Sequence, residues 1–234
     1  MVPESQMVAM AATSYQGFLK EHPKVTAGTD ALMVKRVGER ISKAVVSYLQ
    51  SNKMGNRVED YSWEFNLVAD SAINAWCMPG GKVVVYTGIL PVTQDEQSLA
   101  IVMGHEIAHA VARHGNERMS QGLLVVLGGV TLDAATQNKP ELTRELFNQS
   151  YGAVSTLGIL AYSRQHETEA DKLGMVFAAM AGYDPAAAIG FWGRMAAKGG
   201  GKPPEFLSTH PSDETRIARI TEFLPTAKKY YKPS

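Results

Sequence analysis

Apolar residues recur at the three- and four-residue intervals of an amphipathic helix in two N-terminal segments, 4–21 and 30–50. In the second segment the spacing is kept by Leu32, Val37, Ile41, Ala44, Tyr48 and Leu49. Residues 63–67 instead alternate between apolar and polar side chains, which is typical of a half-buried strand. The chain is therefore predicted to begin with two helices that lead into a sheet.

Two β-rich runs, 72–78 and 82–88, flank Pro79-Gly80-Gly81, which is a strong turn signal. This pattern predicts a hairpin. Its single cysteine, Cys77, excludes an intramolecular disulfide and is interpreted as a small core residue.

The next segment, Asp95 to His114, is apolar on nearly all sides of the helix that its spacing predicts, so this helix is expected to be buried. It contains His105-Glu-Ile-Ala-His109, an HExxH run. Four residues are just over one turn, so both imidazoles point the same way and can share one metal ion. Glu106 lies about 100° around the axis, where it can reach a water at that metal without being a ligand.

A catalytic zinc normally takes three protein ligands, so a third is expected elsewhere in the chain. Segment 162–171 starts another predicted helix and offers His166, Glu167, Glu169 and Asp171. Glu167 and Asp171 are four residues apart, so Glu167 can bind the metal while Asp171 accepts the free ring N–H of a ligating histidine. Glu169 lacks such a neighbour, and His166 is interpreted as a polar residue at the helix start.

Beyond Asp171 the helix is expected to run to Gly182, and Asp184-Pro185 is predicted to start the next one as N-cap and first helical residue. Segment 122–163 is interpreted as two helices around a mobile connection. Packing in the core is favoured for it over a lid or a membrane-facing element.

The length of 234 residues and the 45% hydrophobic content predict one domain with a sizeable core. Within it we distinguish a helical N-terminal part (1–60), a core that holds the candidate ligands (61–225) and a C-terminal tail (226–234). The 23 basic and 23 acidic residues cancel, and no Lys/Arg cluster occurs, which argues against a nucleic-acid partner. No apolar run reaches the length needed to cross a membrane.

Three blocks occur in a fixed order: HEIAH, then Glu-Thr-Glu-Ala-Asp ending at Asp171, then His210-Pro211 with Arg216 six residues after the histidine. They resemble the metallopeptidase family of the CAAX prenyl protease and the heat-shock protease HtpX. More narrowly, the chain is similar to the soluble periplasmic or lipoprotein branch, which also resembles the catalytic domain of the mitochondrial overlapping-activity protease. The resemblance covers about residues 66–220.

The resemblance implies an α+β, mainly helical zincin-like (gluzincin) fold with a small mixed sheet and an edge hairpin beside the HExxH helix. It also implies one Zn²⁺ per chain, with Glu106 as the general base. The implied zinc ligands are the same three residues that the spacing favours: His105, His109 and Glu167.

Two late residues have alternative interpretations. By pattern alone, His210-Pro211 is a turn that enters a helix capped by Ser212, and Arg216 is a surface cation. The resemblance places His210 near the zinc, either as an oxyanion donor or as a reversible fourth ligand, and Arg216 within reach of the site. Both are therefore included as candidate catalytic residues.

Asn74, Ala75 and Trp76 resemble the edge-strand residues with which zinc peptidases of this type pair an extended substrate. A purely structural hairpin is the alternative for this segment.

The expected function is that of a zinc-dependent endopeptidase acting on unfolded or extended polypeptides in cell-envelope quality control. Members of this branch carry an export signal, often with a lipidated cysteine, ahead of a sequence like Val2-Pro-Glu-Ser5. The resemblance therefore implies a trimmed mature form in the periplasm, or an outer-membrane lipoprotein that faces it. Two alternatives are a chaperone-like envelope assembly factor whose peptidase site is gated by His210, and a structural zinc domain. The presence of Glu106 argues against the latter.

Overall fold

The computed structural model describes residues 1–127, 140–150, 162–198, 204–210 and 215–233. The helices are α1 (Glu4–Glu21), α2 (Thr29–Ser51), α3 (Leu90–Thr93), α4 (Glu96–Ala112), α5 (His114–Leu127), α6 (Pro140–Ser150), α7 (Arg164–Met180), α8 (Ala187–Ala197), α9 (Glu205–Thr209) and α10 (Arg216–Lys228). The strands are β1 (Lys24–Val25), β2 (Glu64–Val68), β3 (Ala75–Met78) and β4 (Lys82–Tyr86). The expected α+β architecture, mainly helical with a small mixed sheet, is confirmed.

The four strands form one sheet in the order β1-β2-β4-β3. The predicted hairpin is present, because β3 and β4 pair antiparallel across residues 79–81. Strand β2 pairs parallel with β4, and the short β1 pairs antiparallel with β2. Strand β3 therefore lies at one edge of the sheet, and it packs beside α4.

The two faces of the hairpin enter different hydrophobic clusters, because successive side chains of a strand point to opposite faces. Ala75, Cys77, Val83 and Val85 face the main core, which also holds the buried sides of α2, α4 and α7. Trp76, Met78, Val84 and Tyr86 face a second cluster together with Tyr15 and Phe18 of α1. The sheet thus lies between α1 and the buried helix α4.

Helix α4 begins after Asp95, whose side chain accepts a hydrogen bond from Ser98 N at 2.7 Å. It crosses α7 at backbone contact, because both helices carry a glycine at the crossing. A Cβ on Gly104 would lie 2.8 Å from Gly174 O, and a Cβ on Gly174 would lie 2.7 Å from His105 N. This close approach brings the HExxH run next to the first turn of α7.

Most predicted elements agree with the structure within one or two residues, but the helix predicted to start at Asp184-Pro185 begins at Ala187. The reason is that Asp184 Oδ1 accepts the N–H of Ala186 at 2.9 Å, which closes a turn before the helix. The predicted cap Ser212 and much of segment 122–163 lie outside the described residues. None of the helices that the structure describes is both long and apolar enough to span a membrane.

Candidate metal centre

The structure brings the predicted triad together with His210. His105 and His109 lie on α4, Glu167 lies in the first turn of α7, and His210 directly follows α9. One ligand atom from each of the four lies within 4.8 Å of the others. All four side chains are buried.

The separations between these ligand atoms suit one small ion. His109 Nε2 is 3.1 Å from His105 Nε2 and 3.3 Å from Glu167 Oε1. His210 Nδ1 is 3.0 Å from Glu167 Oε1 and 3.3 Å from His105 Nε2. Bonds of about 2.0–2.1 Å to a tetrahedral zinc place neighbouring ligand atoms roughly 3.3 Å apart. The four donors therefore have the spacing of a tetrahedral zinc site.

The charge around these donors also suits a divalent cation. Glu106, Glu167 and Asp171 are buried carboxylates, and Arg216 supplies one positive charge against them. With neutral imidazoles, two negative charges are left away from water, which is costly unless a cation offsets them. Imidazole and carboxylate are donors that zinc prefers. The residues present therefore fit zinc.

The imidazoles and the carboxylate of the cluster perturb one another's titration. Burial alone raises the pKa of Glu167, but His210 and His109 hold it well below its ordinary value. Burial lowers the pKa of His109 well below its ordinary value. For His210, burial lowers the pKa, but Glu106 and Glu167 raise it by more, so the net pKa is raised. Glu167 is thus held as an anion that can bind a metal.

Asp171 and Arg216 support two of the candidate ligands. Asp171 Oδ1 lies 3.0 Å from His105 Nδ1, on the side of the ring that faces away from the cluster. Arg216 donates to both Asp171 oxygens at 2.9 and 2.8 Å, and its third nitrogen lies 2.9 Å from Glu167 Oε2. Its guanidinium carbon is 3.3 Å from the centre of the Trp192 ring. Arg216 is 1% exposed, so its interpretation as a surface cation is wrong.

Glu106 points into the same pocket without joining the four donors. Its Oε1 is 3.5 Å from His210 Nε2 and has no hydrogen-bond partner among the described residues. Burial raises the pKa of the Glu106 carboxyl above its ordinary value, while His210 and His105 act in the opposite direction. A carboxylate with a raised pKa beside a metal centre is suited to accept and return a proton.

Sequence reasoning missed the surroundings of His109. Its Nδ1 lies 3.0 Å from His114 Nδ1, and His114 Nε2 lies 3.3 Å from Glu169 Oε2. Burial and the neighbouring His166 lower the pKa of His114 to about 4. Tyr162 stacks on the ring of His109 with centroids 3.9 Å apart. The Tyr-Ser-Arg before the second block was a usable signal for Tyr162.

The histidine judged a weak ligand candidate lies outside the four-donor cluster. His166 Nε2 contacts Glu117 Oε2 at 3.2 Å, and its ring stacks on His114. Its backbone N–H is capped by Ser163 at the start of α7. This environment matches its interpretation as a polar residue at a helix start.

The three predicted edge-strand residues lie at the start of β3. Asn74 Oδ1 accepts the N–H of Ala75 at 2.9 Å. The Trp76 ring turns away from α4 and packs edge-on against Phe18 of α1, at 5.0 Å between centroids. The Trp76 side chain thus belongs to the far face of the sheet, and a role in substrate pairing rests on its backbone.

The HExxH helix, the converging histidine and glutamate donors and the edge strand beside them define a metallopeptidase domain of the zincin type. The chain belongs to peptidase family M48, whose profile matches residues 35–224. The resemblance to this family that the three sequence blocks indicated is therefore confirmed.

Proteins from mitochondria and from bacteria are similar to this chain. The mitochondrial metalloendopeptidase OMA1 of Schizosaccharomyces pombe is 41% identical over 177 residues, which cover 73% of this chain and 49% of that protein. The human OMA1 is 31% identical over 237 residues, 98% of this chain and 44% of that protein. The beta-barrel assembly-enhancing protease of Escherichia coli is 31% identical over 184 residues, 71% of this chain and 37% of that protein. The chain thus spans about half the length, or less, of these curated relatives.

Proposed function

We propose that this protein is a zinc-dependent endopeptidase that hydrolyses extended segments of protein substrates. The observation that carries the proposal is the set of four buried donors at the spacing of a tetrahedral zinc, with the Glu106 carboxylate beside it. Family membership supports the same reaction class.

His105, His109 and Glu167 would hold the metal in this proposal. When bound, zinc polarises the scissile carbonyl and lowers the pKa of water from 15.7 to about 7. Glu106 takes the proton of the attacking water and later delivers it to the leaving amine. Asp171 and Arg216 keep His105 and Glu167 in place, because both contact the sides of those ligands that face away from the donor cluster.

Strand β3 would hold the substrate in an extended form. It lies at the edge of the sheet beside α4, so a peptide could pair with its main chain while lying against the metal centre. Asn74 lies where this strand begins, next to the backbone groups that such a peptide would meet.

The substitution Glu106→Gln tests the proposed chemistry. It keeps the shape of the side chain but removes its proton affinity, so we expect zinc affinity near that of the wild type and loss of casein hydrolysis by at least about 100-fold. Zinc content and turnover are measured on the same sample. Glu96→Gln makes the same change in the first turn of the same helix and should leave turnover unchanged. Retained turnover in Glu106→Gln would refute the assigned base.

A latent form of the same site is a second candidate, because His210 Nδ1 lies among the donors at distances of 3.0 and 3.3 Å. In this form His210 is a reversible fourth ligand that occupies the position a water needs. The protein would then bind unfolded envelope proteins and cleave them only when His210 is displaced.

Two backbone hydrogen bonds support this closed arrangement. Phe206 N–H donates to Ile73 O at 3.2 Å, immediately before the edge-strand residues. Tyr162 N–H donates to Thr209 O at 3.0 Å. The segment that ends in His210 is thus fixed both to the strand proposed to bind substrate and to the residue stacked on His109. A peptide that pairs with β3 from Ile73 onward would compete with the first bond.

The gate is tested by His210→Ala. If His210 holds the site closed, we expect casein hydrolysis to rise by about tenfold, which corresponds to a closed form favoured by ~1.4 kcal/mol. His22→Ala changes a partly exposed histidine near the far end of α1 and should have no effect. A fall in activity in His210→Ala would show instead that His210 assists the reaction, for example as an oxyanion donor.

We further propose a role in protein quality control at the bacterial cell envelope, with periplasmic residence and membrane association through an N-terminal lipid anchor. Similarity to proteins named beta-barrel assembly-enhancing protease supports this placement. The unreacted Glu106→Gln variant offers a test, because it should retain unfolded outer-membrane protein added in vitro and release it after chelation of zinc. Equal retention of folded and unfolded protein would argue against this role.

A further inference from the structure

We infer that His114 and Glu169 are positioning residues that fix the tautomer and orientation of His109 for metal binding. The inference rests on the proposed zinc site and adds to it the support of its second histidine. His105 has a carboxylate behind its ring, Asp171, whereas His109 has another imidazole in the same place.

The orientation of the His109 ring follows from its contacts. Its Nε2 faces the donor cluster, at 3.1 Å from His105 Nε2 and 3.3 Å from Glu167 Oε1. Its Nδ1 therefore points away from the cluster, where His114 Nδ1 lies 3.0 Å from it. Tyr162 stacks on the ring face at 3.9 Å and limits its rotation.

Two ring nitrogens at this distance form a hydrogen bond only if one carries a proton and the other does not. Glu169 Oε2, 3.3 Å from His114 Nε2, is a carboxylate oxygen and accepts. His114 Nε2 therefore carries the proton, and its Nδ1 is the acceptor when the ring is neutral. His109 Nδ1 then donates, which leaves the lone pair of His109 Nε2 free for a metal. The chain from Glu169 to His109 thus selects the metal-binding tautomer.

The backbone places His114 for this contact at some conformational cost. Arg113 adopts φ 66°, a left-handed conformation that is uncommon for a residue with a side chain, and it separates α4 from α5. If α4 continued, His114 would lie five residues on, roughly 140° around the axis from His109. The break instead turns the His114 ring back onto His109 and leaves it 3% exposed. A conformation that costs energy and creates one buried contact is consistent with a functional contact.

The relay ends at the surface, because the Glu169 side chain is 58% exposed. His109 is therefore supported by a neutral imidazole, whereas His105 is supported directly by a buried carboxylate. A carboxylate raises the basicity of a ligating imidazole. We expect His109 to be the weaker donor of the pair, so its affinity for the metal depends more on orientation.

Zinc affinity, measured by competition with a chelator, tests the inference. His114→Leu removes the acceptor and should weaken zinc binding 10- to 100-fold, as loss of such partners usually does. His114→Asn places a carbonyl oxygen near the lost Nδ1 and should recover most of the affinity. Glu169→Ala should weaken binding by a smaller factor, because water can replace an exposed carboxylate. Glu117→Ala removes the carboxylate that faces His166 and should change nothing.

Nitrogen NMR of the zinc-loaded wild type gives a readout that needs no variant to fold. We expect His114 to carry its proton on Nε2. A proton on His114 Nδ1, or wild-type zinc affinity in a folded His114→Leu variant, would overturn the inference and leave the metal centre intact. Absence of zinc binding by the wild type would instead remove the proposed function on which the inference rests.

Discussion

Asp171 combines two tasks, because one of its oxygens lies against His105 and both accept hydrogen bonds from Arg216. Asp171→Ala should weaken zinc binding about 10- to 100-fold. It should also lower the free energy of unfolding of the metal-free protein by ~3–5 kcal/mol, since Arg216 stays buried with half of its pairing lost. Chelator competition and denaturant unfolding measure the two effects separately. Asp171→Asn, which keeps an acceptor, should be milder in both, and unchanged zinc affinity in Asp171→Ala would rule out the support of His105.

At the residue scale, contacts within one helix could be predicted and contacts across a helix break could not. His105 and His109, like Glu167 and Asp171, are four residues apart, so helical geometry alone places each pair on one face. His114 contacts His109 only because Arg113 leaves the helical conformation, and an arginine gives no sequence signal for φ 66°.

The crossing of α4 and α7 depends on two glycines, and this dependence can be tested. Gly174→Ala would place a Cβ 2.7 Å from His105 N, so the helices must move apart. We expect a loss of stability of about 1–3 kcal/mol, as for other overpacked sites, and weaker zinc binding because His105 and Glu167 separate. Thermal unfolding and chelator competition measure both.

Gly193→Ala is the matched control for this crossing. A Cβ at Gly193 meets no atom within 4 Å, and the residue lies inside α8. This change should stabilise the protein by roughly 0.5–1 kcal/mol through helix propensity. Equal behaviour of the two variants would mean that the close approach of α4 and α7 is not required.

At the element scale, local signals were sufficient for the hairpin and for α1 but not for the order of strands. The turn residues 79–81 and the alternation on either side of them specify a hairpin. The parallel pairing of β2 with β4 joins segments that no local pattern relates, and it depends on tertiary packing. The start of α8 was misplaced because an aspartate that closes a turn and one that caps a helix have the same sequence signature.

At the scale of the whole molecule, the candidate site could be predicted better than the arrangement that supports it. The three blocks indicated both the family and the ligands, but nothing in the sequence placed α1 on the opposite side of the sheet from α4. That arrangement follows from the hairpin, since it offers Trp76 and Tyr86 to one cluster and Ala75 and Val85 to the other. A sheet that is apolar on both faces requires a covering layer on each.

One surface carboxylate joins three of the layers that surround the metal centre. Glu96, in the first turn of α4, accepts from Arg36 of α2 at 3.0 and 2.6 Å and from the Tyr183 hydroxyl beyond α7 at 2.8 Å. The hydrogen bonds from Arg36 lower the pKa of Glu96 below its ordinary value of 4.5. The ionised carboxylate is thus favoured in the folded state.

A carboxyl with a lowered pKa stabilises the fold above its ordinary pKa, and this contribution is lost as the pH falls through the folded value. Glu96→Gln should therefore cost no more than about 1 kcal/mol near neutral pH, because Arg36 is half exposed and solvent weakens the pair. The difference between wild type and variant should shrink as the pH falls below 4.5. Denaturant unfolding at several pH values measures it, in excess chelator so that loss of metal is common to both proteins. Glu39→Gln, which removes an exposed pair with Lys35 at 4.0 Å, should show no such dependence. A difference for Glu96→Gln that stays constant down to pH 3 would show that hydrogen bonding, and not ionisation, joins these layers.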